Sequence, residues 1–319
     1  MSKKPNFNIK EVPCFNEILK SPCLLGDGRI AVISPGNKVK VFDPKNNFNC
    51  DIIINNPSVG YISTLGKMKK DKLLVGTQHG IIFIWNVNPS EDYEYIIKDT
   101  TKNVNWKVSH VKKEGLKPFC LENKVEIHDG NEIISIAELT NDRMASSSRD
   151  QPIKIWKSSS PSEVIAKFDC EALLLTQLKD KEVLLAKGKY SNSILFYDLT
   201  KYELLSEVTD IYSDKIINVD SNTLLIYYYM NFIPIDTNTF IKKDDINVVE
   251  LKTIALLNYK YIVCITYPTG EFAIFDLNTK ELIKTKASHS GQIDNLFVIN
   301  EKYFMSLPYE GIPKLWEIQ

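Results

Sequence analysis

Short segments recur along the chain in which apolar and polar positions alternate, ending on a bulky apolar residue followed by a polar or charged one. They read Val39-Lys-Val-Phe42-Asp43, Ile82-Phe-Ile-Trp85-Asn86, Ile153-Lys-Ile-Trp156-Lys157 and Ile194-Leu-Phe-Tyr197-Asp198. Three more follow, Phe232-Ile-Pro-Ile235-Asp236, Phe272-Ala-Ile-Phe275-Asp276 and Pro313-Lys-Leu-Trp316-Glu317. A period of two predicts strands. The anchors at 42, 85, 156, 197, 235, 275 and 316 are separated by 43, 71, 41, 38, 40 and 41 residues, so the strands belong to a repeated unit.

A second register agrees with the first. Five residues before the anchor stands Asn37, Gly80, Asn192, Gly270 or Gly311, in five of the seven units. Glycine and asparagine tolerate the positive φ that a tight hairpin turn requires. Upstream of each turn lies another β-rich segment, at 29–34, 72–77, 143–148, 182–187, 223–228, 259–266 and 302–307. Earlier still come segments such as 133–139, 173–178 and 293–299, and after the anchors come 163–168, 203–208 and 281–286. Each unit therefore holds four strands, and helical periodicity is nowhere sustained. Four strands per unit of about 40 residues predicts an all-β, seven-bladed β-propeller of four-stranded antiparallel blades.

The blades carry motifs that resemble the WD-repeat propeller family. The best match is Ser288-His289-Ser-Gly-Gln-Ile-Asp-Asn-Leu followed by Tyr309-Glu310-Gly311-Ile-Pro-Lys-Leu-Trp316-Glu317. His128-Asp-Gly-Asn with Ser146-Ser-Ser-Arg-Asp150-Gln-Pro-Ile-Lys-Ile-Trp156-Lys157 is nearly as close. The similarity spans the whole chain and is strongest in the third and last units. It implies a structural network across a blade: His128, Ser146 (or Ser148), Asp150 and Trp156 in one unit, and His289, Ser306, Glu310 and Trp316 in the other.

Two departures from the simple repeat yield expectations. The last anchor, Trp316, leaves the final unit without a fourth strand, while a surplus alternating segment runs from Asn6 to Val12. That segment is expected to pair with the strand ending at Trp316 and close the ring, removing both sheet edges. The 71-residue interval exceeds one repeat by about 30 residues, too few for an eighth blade. The excess, about 88–123, reads as an insertion between blades 2 and 3 within one 1–319 domain. It is either a loop or hairpin against the rim or a partner-docking element, and it contains Tyr93, Tyr95, Trp106 and Phe119.

Composition narrows the function. Apolar residues make up 44% and charged residues 25%, which suits a globular chain. Lys plus Arg (39) against Asp plus Glu (40) leaves a net charge of −1, so no nucleic-acid partner is expected. No apolar run approaches the roughly 20 residues needed to cross a bilayer, and no signal-peptide core opens the chain. The six cysteines include no Cys-x-x-Cys pair, which fits reduced thiols in a cytoplasmic or, as the alternative, a nuclear protein.

The candidate chemistry is mostly structural. His128, Ser146 and Asp150 are the ingredients of a hydrolytic triad, but the same types recur in the last unit with Glu310 for Asp, and no Gly-x-Ser-x-Gly elbow exists. No histidine pair has metal-ligand spacing, so no metal, cofactor or catalysis is expected. Lys67, Lys69, Lys70 and Lys72 read as a solvated turn. The Phe-Arg-Arg-Gly motif of phosphoinositide-binding propellers is absent.

The turns preceding the anchor strands should instead ring the mouth of a central channel. They carry Asn37, His79, Arg149, Tyr190, Tyr229, Tyr267 and Tyr309. Tyrosine and arginine dominate interface hot spots. All of these but Asn37, with Trp106 of the insertion, are the expected partner-binding set. The expected role is a non-catalytic scaffold for partner proteins or peptides, a monomer within a larger complex. The alternatives are a peripheral phosphoinositide-binding propeller, through Lys67–Lys72 or lysines 112–113, and a substrate-receptor subunit of a ubiquitin ligase.

Overall fold

The computed structural model describes residues 7–55, 60–69, 72–88, 119–189, 192–248, 251–289 and 292–319, together with the backbone of 95–99 and 104–108. Its main elements are seven four-stranded antiparallel sheets, each one blade. Blade 3 shows the plan: Ile133–Leu139, Arg143–Ser148, Gln151–Lys157 and Val164–Phe168 run from inner to outer strand. The inner strands of neighbouring blades touch one another, which sets the sheets radially around a channel.

The core follows from the period of two. Both faces of a blade are covered by its neighbours, so successive residues of one strand supply two different cores. In blade 3, Ile153 and Ile155 pack with Leu184 and Ala186 of blade 4, whereas Trp156 packs with Leu74, Ile82 and Ile84 of blade 2. Among the described residues seven apolar clusters result, one for each blade-to-blade interface. All seven anchors turn toward the preceding blade: Phe42 toward blade 7, Trp85 toward blade 1, and so on round to Trp316 toward blade 6.

The polar residue after the anchor has its own local task. The side chains of Asp43, Asn86, Asp198, Asp236 and Asp276 each accept the backbone N–H two residues on, at 2.9, 2.9, 2.6, 2.9 and 2.9 Å. Each thereby builds an Asx turn into the outer strand. Lys157 stands at this position in blade 3, and there Asp142 of the adjacent turn accepts from the hydroxyls of Ser158 and Ser159 instead.

Basic side chains also tie blade to blade. Arg29, before the second strand of blade 1, donates to the Val87 carbonyl of blade 2 at 2.9 Å. Arg143 donates likewise to Leu199, and Lys181 to Thr237 at 2.8 Å. Each carbonyl lies two residues past an anchor.

The ring closes as the alternation at the N-terminus suggests. Ile9–Val12 pairs antiparallel with Lys314–Ile318, setting Glu11 opposite Trp316 and completing blade 7. Asn8 N–H donates to the Gln319 carbonyl at 3.1 Å, Gln319 N–H returns to Asn8 at 2.8 Å, and Lys314 meets Glu11 at 2.9 Å.

The insertion departs from the expected boundaries. Cys120–Glu126 is the outer strand of blade 2, paired with Ile81–Asn86. A hairpin of Tyr95–Asp99 and Val104–Val108 lies before it in the chain. The extra residues therefore interrupt blade 2 between its third and fourth strands and end before Cys120, rather than separating blades 2 and 3. A register shift between Leu121 and Asn123 breaks the alternation, which is why this strand resembles a loop in sequence.

Candidate interaction surface

In a meander of four strands, the turn between the second and third strands and the link to the next blade emerge on the same face. Gly80 and His128 show this directly, since His128 N–H donates to the Gly80 carbonyl at 3.3 Å. Gly80 has φ +73°, and a Cβ there would lie 1.6 Å from the His128 carbonyl oxygen, so no other residue fits.

Beneath this face lies the blade 3 network. Trp156 Nε1 donates to Ser146 Oγ at 3.2 Å, Ser146 Oγ lies 2.9 Å from His128 Nε2, and His128 Nδ1 lies 3.2 Å from Gln151 Oε1. Every polar atom in this chain is satisfied when the indole donates to the hydroxyl, the hydroxyl donates to a neutral imidazole, and Nδ1–H donates to Gln151. Burial, reinforced by the positive charge of Lys154, pushes the His128 pKa down to about 4. Ser148 takes no part in the network, because its hydroxyl donates to the Asn131 carbonyl at 2.9 Å. Ser146 is fully buried, so its hydroxyl cannot reach a substrate as a nucleophile.

Asp150 is a correction to the expected set. It occupies the turn with φ +56° and its side chain is exposed, 3.8 Å from Lys189, so Gln151 one residue later takes the imidazole. Blade 7 differs again. Trp316 Nε1 donates to Ser306 Oγ at 2.8 Å, while His289 meets the indole through its ring, centroids 6.1 Å apart. Glu310, expected in this network, is exposed beside Gly311, whose φ of +118° turns the chain outward.

The rim residues fall as follows. Tyr229, Tyr267 and Tyr309 are exposed by 74%, 58% and 71%, large values for rings of this size. Tyr229 and Met230 form a two-residue turn with φ +40° and +66°, a left-handed conformation that bulky residues seldom adopt and that costs roughly 1–2 kcal/mol per residue. Tyr228 and Tyr212 stack beside this turn with centroids 5.3 Å apart. His79 is exposed. Arg149 projects outward but is held by Glu132 at 2.6 Å. Asn37 is not a free rim group, since its amide donates to Gly60 O at 3.0 Å and accepts from Ile62 N at 2.8 Å. Tyr190 lies outside the described residues. Trp106 stands opposite Ile97 in the inserted hairpin, and its side chain is outside the described set.

Sequence reasoning missed Ile18 and Tyr61, exposed by 46% and 69%. Both precede an inner strand, at a ring position where blades 3 and 4 carry Glu132 and Glu171. Comparing that position between units would have revealed them. Lys72, from the basic cluster, is spent on Glu122 at 2.5 Å, and Lys69 donates its backbone N–H to Glu138. Lys70 and lysines 112–113 lie outside the described residues. Among the described residues no group of three His, Cys, Asp or Glu side chains gathers, and no helix is long and apolar enough to cross a membrane.

Comparison with solved structures agrees with this architecture. One chain in the crystal structure of a mitotic checkpoint complex superimposes with a TM-score of 0.68 at 13% identity, covering 99% of this chain and 95% of that one. At that identity the likeness is one of fold. No family model and no curated protein sequence matches the chain.

Proposed function

We propose that this propeller is a non-catalytic platform of the WD-repeat kind, which binds partner proteins through the face bearing the turns between second and third strands. The observation that carries this reading is the set of rings left in water on that face: Tyr229, Tyr267, Tyr309 and, at the blade 2 entry, Tyr61. Solvent gains nothing from a tyrosine held in a left-handed turn, whereas a partner gains rigid area and a hydroxyl at little ordering cost. The likeness to a subunit of a multiprotein assembly is consistent with such a role, although the fold alone cannot choose it.

The test is affinity capture from cells, comparing the unaltered chain with a Tyr229→Ala, Tyr267→Ala, Tyr309→Ala variant of unchanged thermal midpoint. Recovery of specific partners should fall at least tenfold, since each hot-spot truncation costs about 2 kcal/mol or more. Equal recovery by the folded variant would end the proposal. Turnover of a small molecule by the purified chain would end the non-catalytic part of it.

A further inference from the structure

A cavity of about 600 Å³ opens on this same face between blades 1 and 2, walled by Ile18, Ile33, Pro35, Tyr61 and Ile62 with Lys20 at its edge. That volume is typical of ligand sites. A backbone donor present in other blades is missing here. In blades 2, 3 and 7 the residue seven before the anchor donates its backbone N–H to the carbonyl just ahead of the inner strand. Gln78 donates to Tyr61 at 3.0 Å, Arg149 to Glu132 at 2.9 Å and Tyr309 to Gln292 at 3.2 Å. In blade 1 that residue is Pro35, which has no N–H. Counting back from the Lys20–Ile33 pair, Ile18 is the residue facing Pro35, so the bond made at this place in blades 2, 3 and 7 cannot form here.

Charge at the site is also incomplete. In blades 3 and 4 the carboxylate at this ring position pairs with a neighbouring cation, Glu132 with Arg149 and Glu171 with Lys189, both at 2.6 Å. Blades 1 and 2 replace that carboxylate with Ile18 and Tyr61. Lys20 is exposed at the cavity, and the Lys38 side chain lies against Gly36, its Cε 3.6 Å from where a Cβ would stand. Neither lysine has an ion pair or side-chain hydrogen bond among the described residues. The nearest acid in sequence, Glu17, is already bound to Lys40.

We infer that this cavity receives a short linear segment of a partner protein. An aliphatic or aromatic side chain of that segment fills the apolar space, and an adjacent aspartate or glutamate supplies the carboxylate that blade 1 lacks, facing Lys20 and Lys38. The inference rests on the platform reading and names the chemistry of what the platform holds.

The test is selection of a phage-displayed library of random twelve-residue peptides on the immobilised chain. Enriched peptides should share an apolar residue flanked by Asp or Glu. A tagged representative should bind at least tenfold more weakly to Ile18→Glu and to Lys20→Glu, and unchanged to Tyr259→Ala, an exposed ring in the turn between the first and second strands of blade 6, on the opposite face. Ile18→Glu installs the residue that blades 3 and 4 carry at this position and should keep a near-native thermal midpoint. Should it not fold, Lys20→Glu, a change at an exposed site, decides alone, and selection on that variant should shift toward basic peptides. Enriched peptides that lack acid, or that bind Lys20→Glu as well as the unaltered chain, overturn the inference. If such peptides depend instead on Tyr229 or Tyr309, the platform reading survives. Failure to enrich any peptide counts against both.

Discussion

Blades 3 and 7 carry the same His, Ser and Trp at matching positions, yet use them differently. In blade 3 one hydroxyl serves two buried groups, the indole of Trp156 and the imidazole of His128, and Gln151 completes the line. In blade 7 the hydroxyl of Ser306 accepts from the indole of Trp316, and the imidazole of His289 meets that indole through its ring. Blade 2 extends the comparison: Val75 stands where the serine should be, and Trp85 Nε1 is buried without an acceptor among the described residues. All three tryptophans fill the same interface position. What the ring requires there is a large apolar body facing the preceding blade; the polar network is added on top, to different depths.

That ordering can be broken experimentally. Ser146→Ala orphans two buried groups and should cost about 2–5 kcal/mol, read from the denaturant midpoint. A loss below 1 kcal/mol would mean that water or a side-chain shift replaces the hydroxyl. Acid should come next. His128 titrates near 4 in the folded chain against 6.5 in its unperturbed state, so the unfolded chain binds the proton first as pH falls. Its contribution is intact above about pH 6.5 and is lost progressively down to about pH 4, to a total of about 3 kcal/mol. His128→Gln should remove this part of the slope and His289→Gln should retain it; identical acid limbs in both variants would refute the assignment. Ser306→Ala orphans one donor and should cost about 1–2 kcal/mol. Smallest of all is Val75→Ser. There the removal of buried methyl groups and the provision of an acceptor for Trp85 nearly offset each other, leaving a net change within about 1 kcal/mol. If Val75→Ser destabilises as strongly as Ser146→Ala, the hydroxyl does not reach the indole and the equivalence of the blades fails.

Much of the architecture was legible because it rests on period and spacing. The anchors, the seven units and the closing strand follow from apolar positions that any propeller must bury. The local polar geometry was less legible. Asp150 and Glu310 were expected to brace the networks, but each sits in a turn where the backbone sends the side chain outward. The outer strand Cys120–Glu126 was hidden because its bulge spoils the alternation. Tyr229, Tyr267 and Tyr309 could be placed on one face from their register, since every turn of that type shares a side. Ile18 and Tyr61 were missed because their meaning lies in the contrast with Glu132 and Glu171, a comparison between units at one position that the repeat motifs do not prompt.

The common orientation of the seven anchors has a further consequence. Since every blade offers a bulky residue backward and a receiving surface forward, the circle has a direction, like tiles overlapped one way around a round roof. Each joint is a heterologous contact, and none is symmetric about itself. Reversing one sheet would put two projections at one joint and a gap at the other. A cyclic shift of the order, by contrast, leaves every joint intact, so a permuted chain opened in another link between blades and sewn from Gln319 to Asn8 should fold into the same circle.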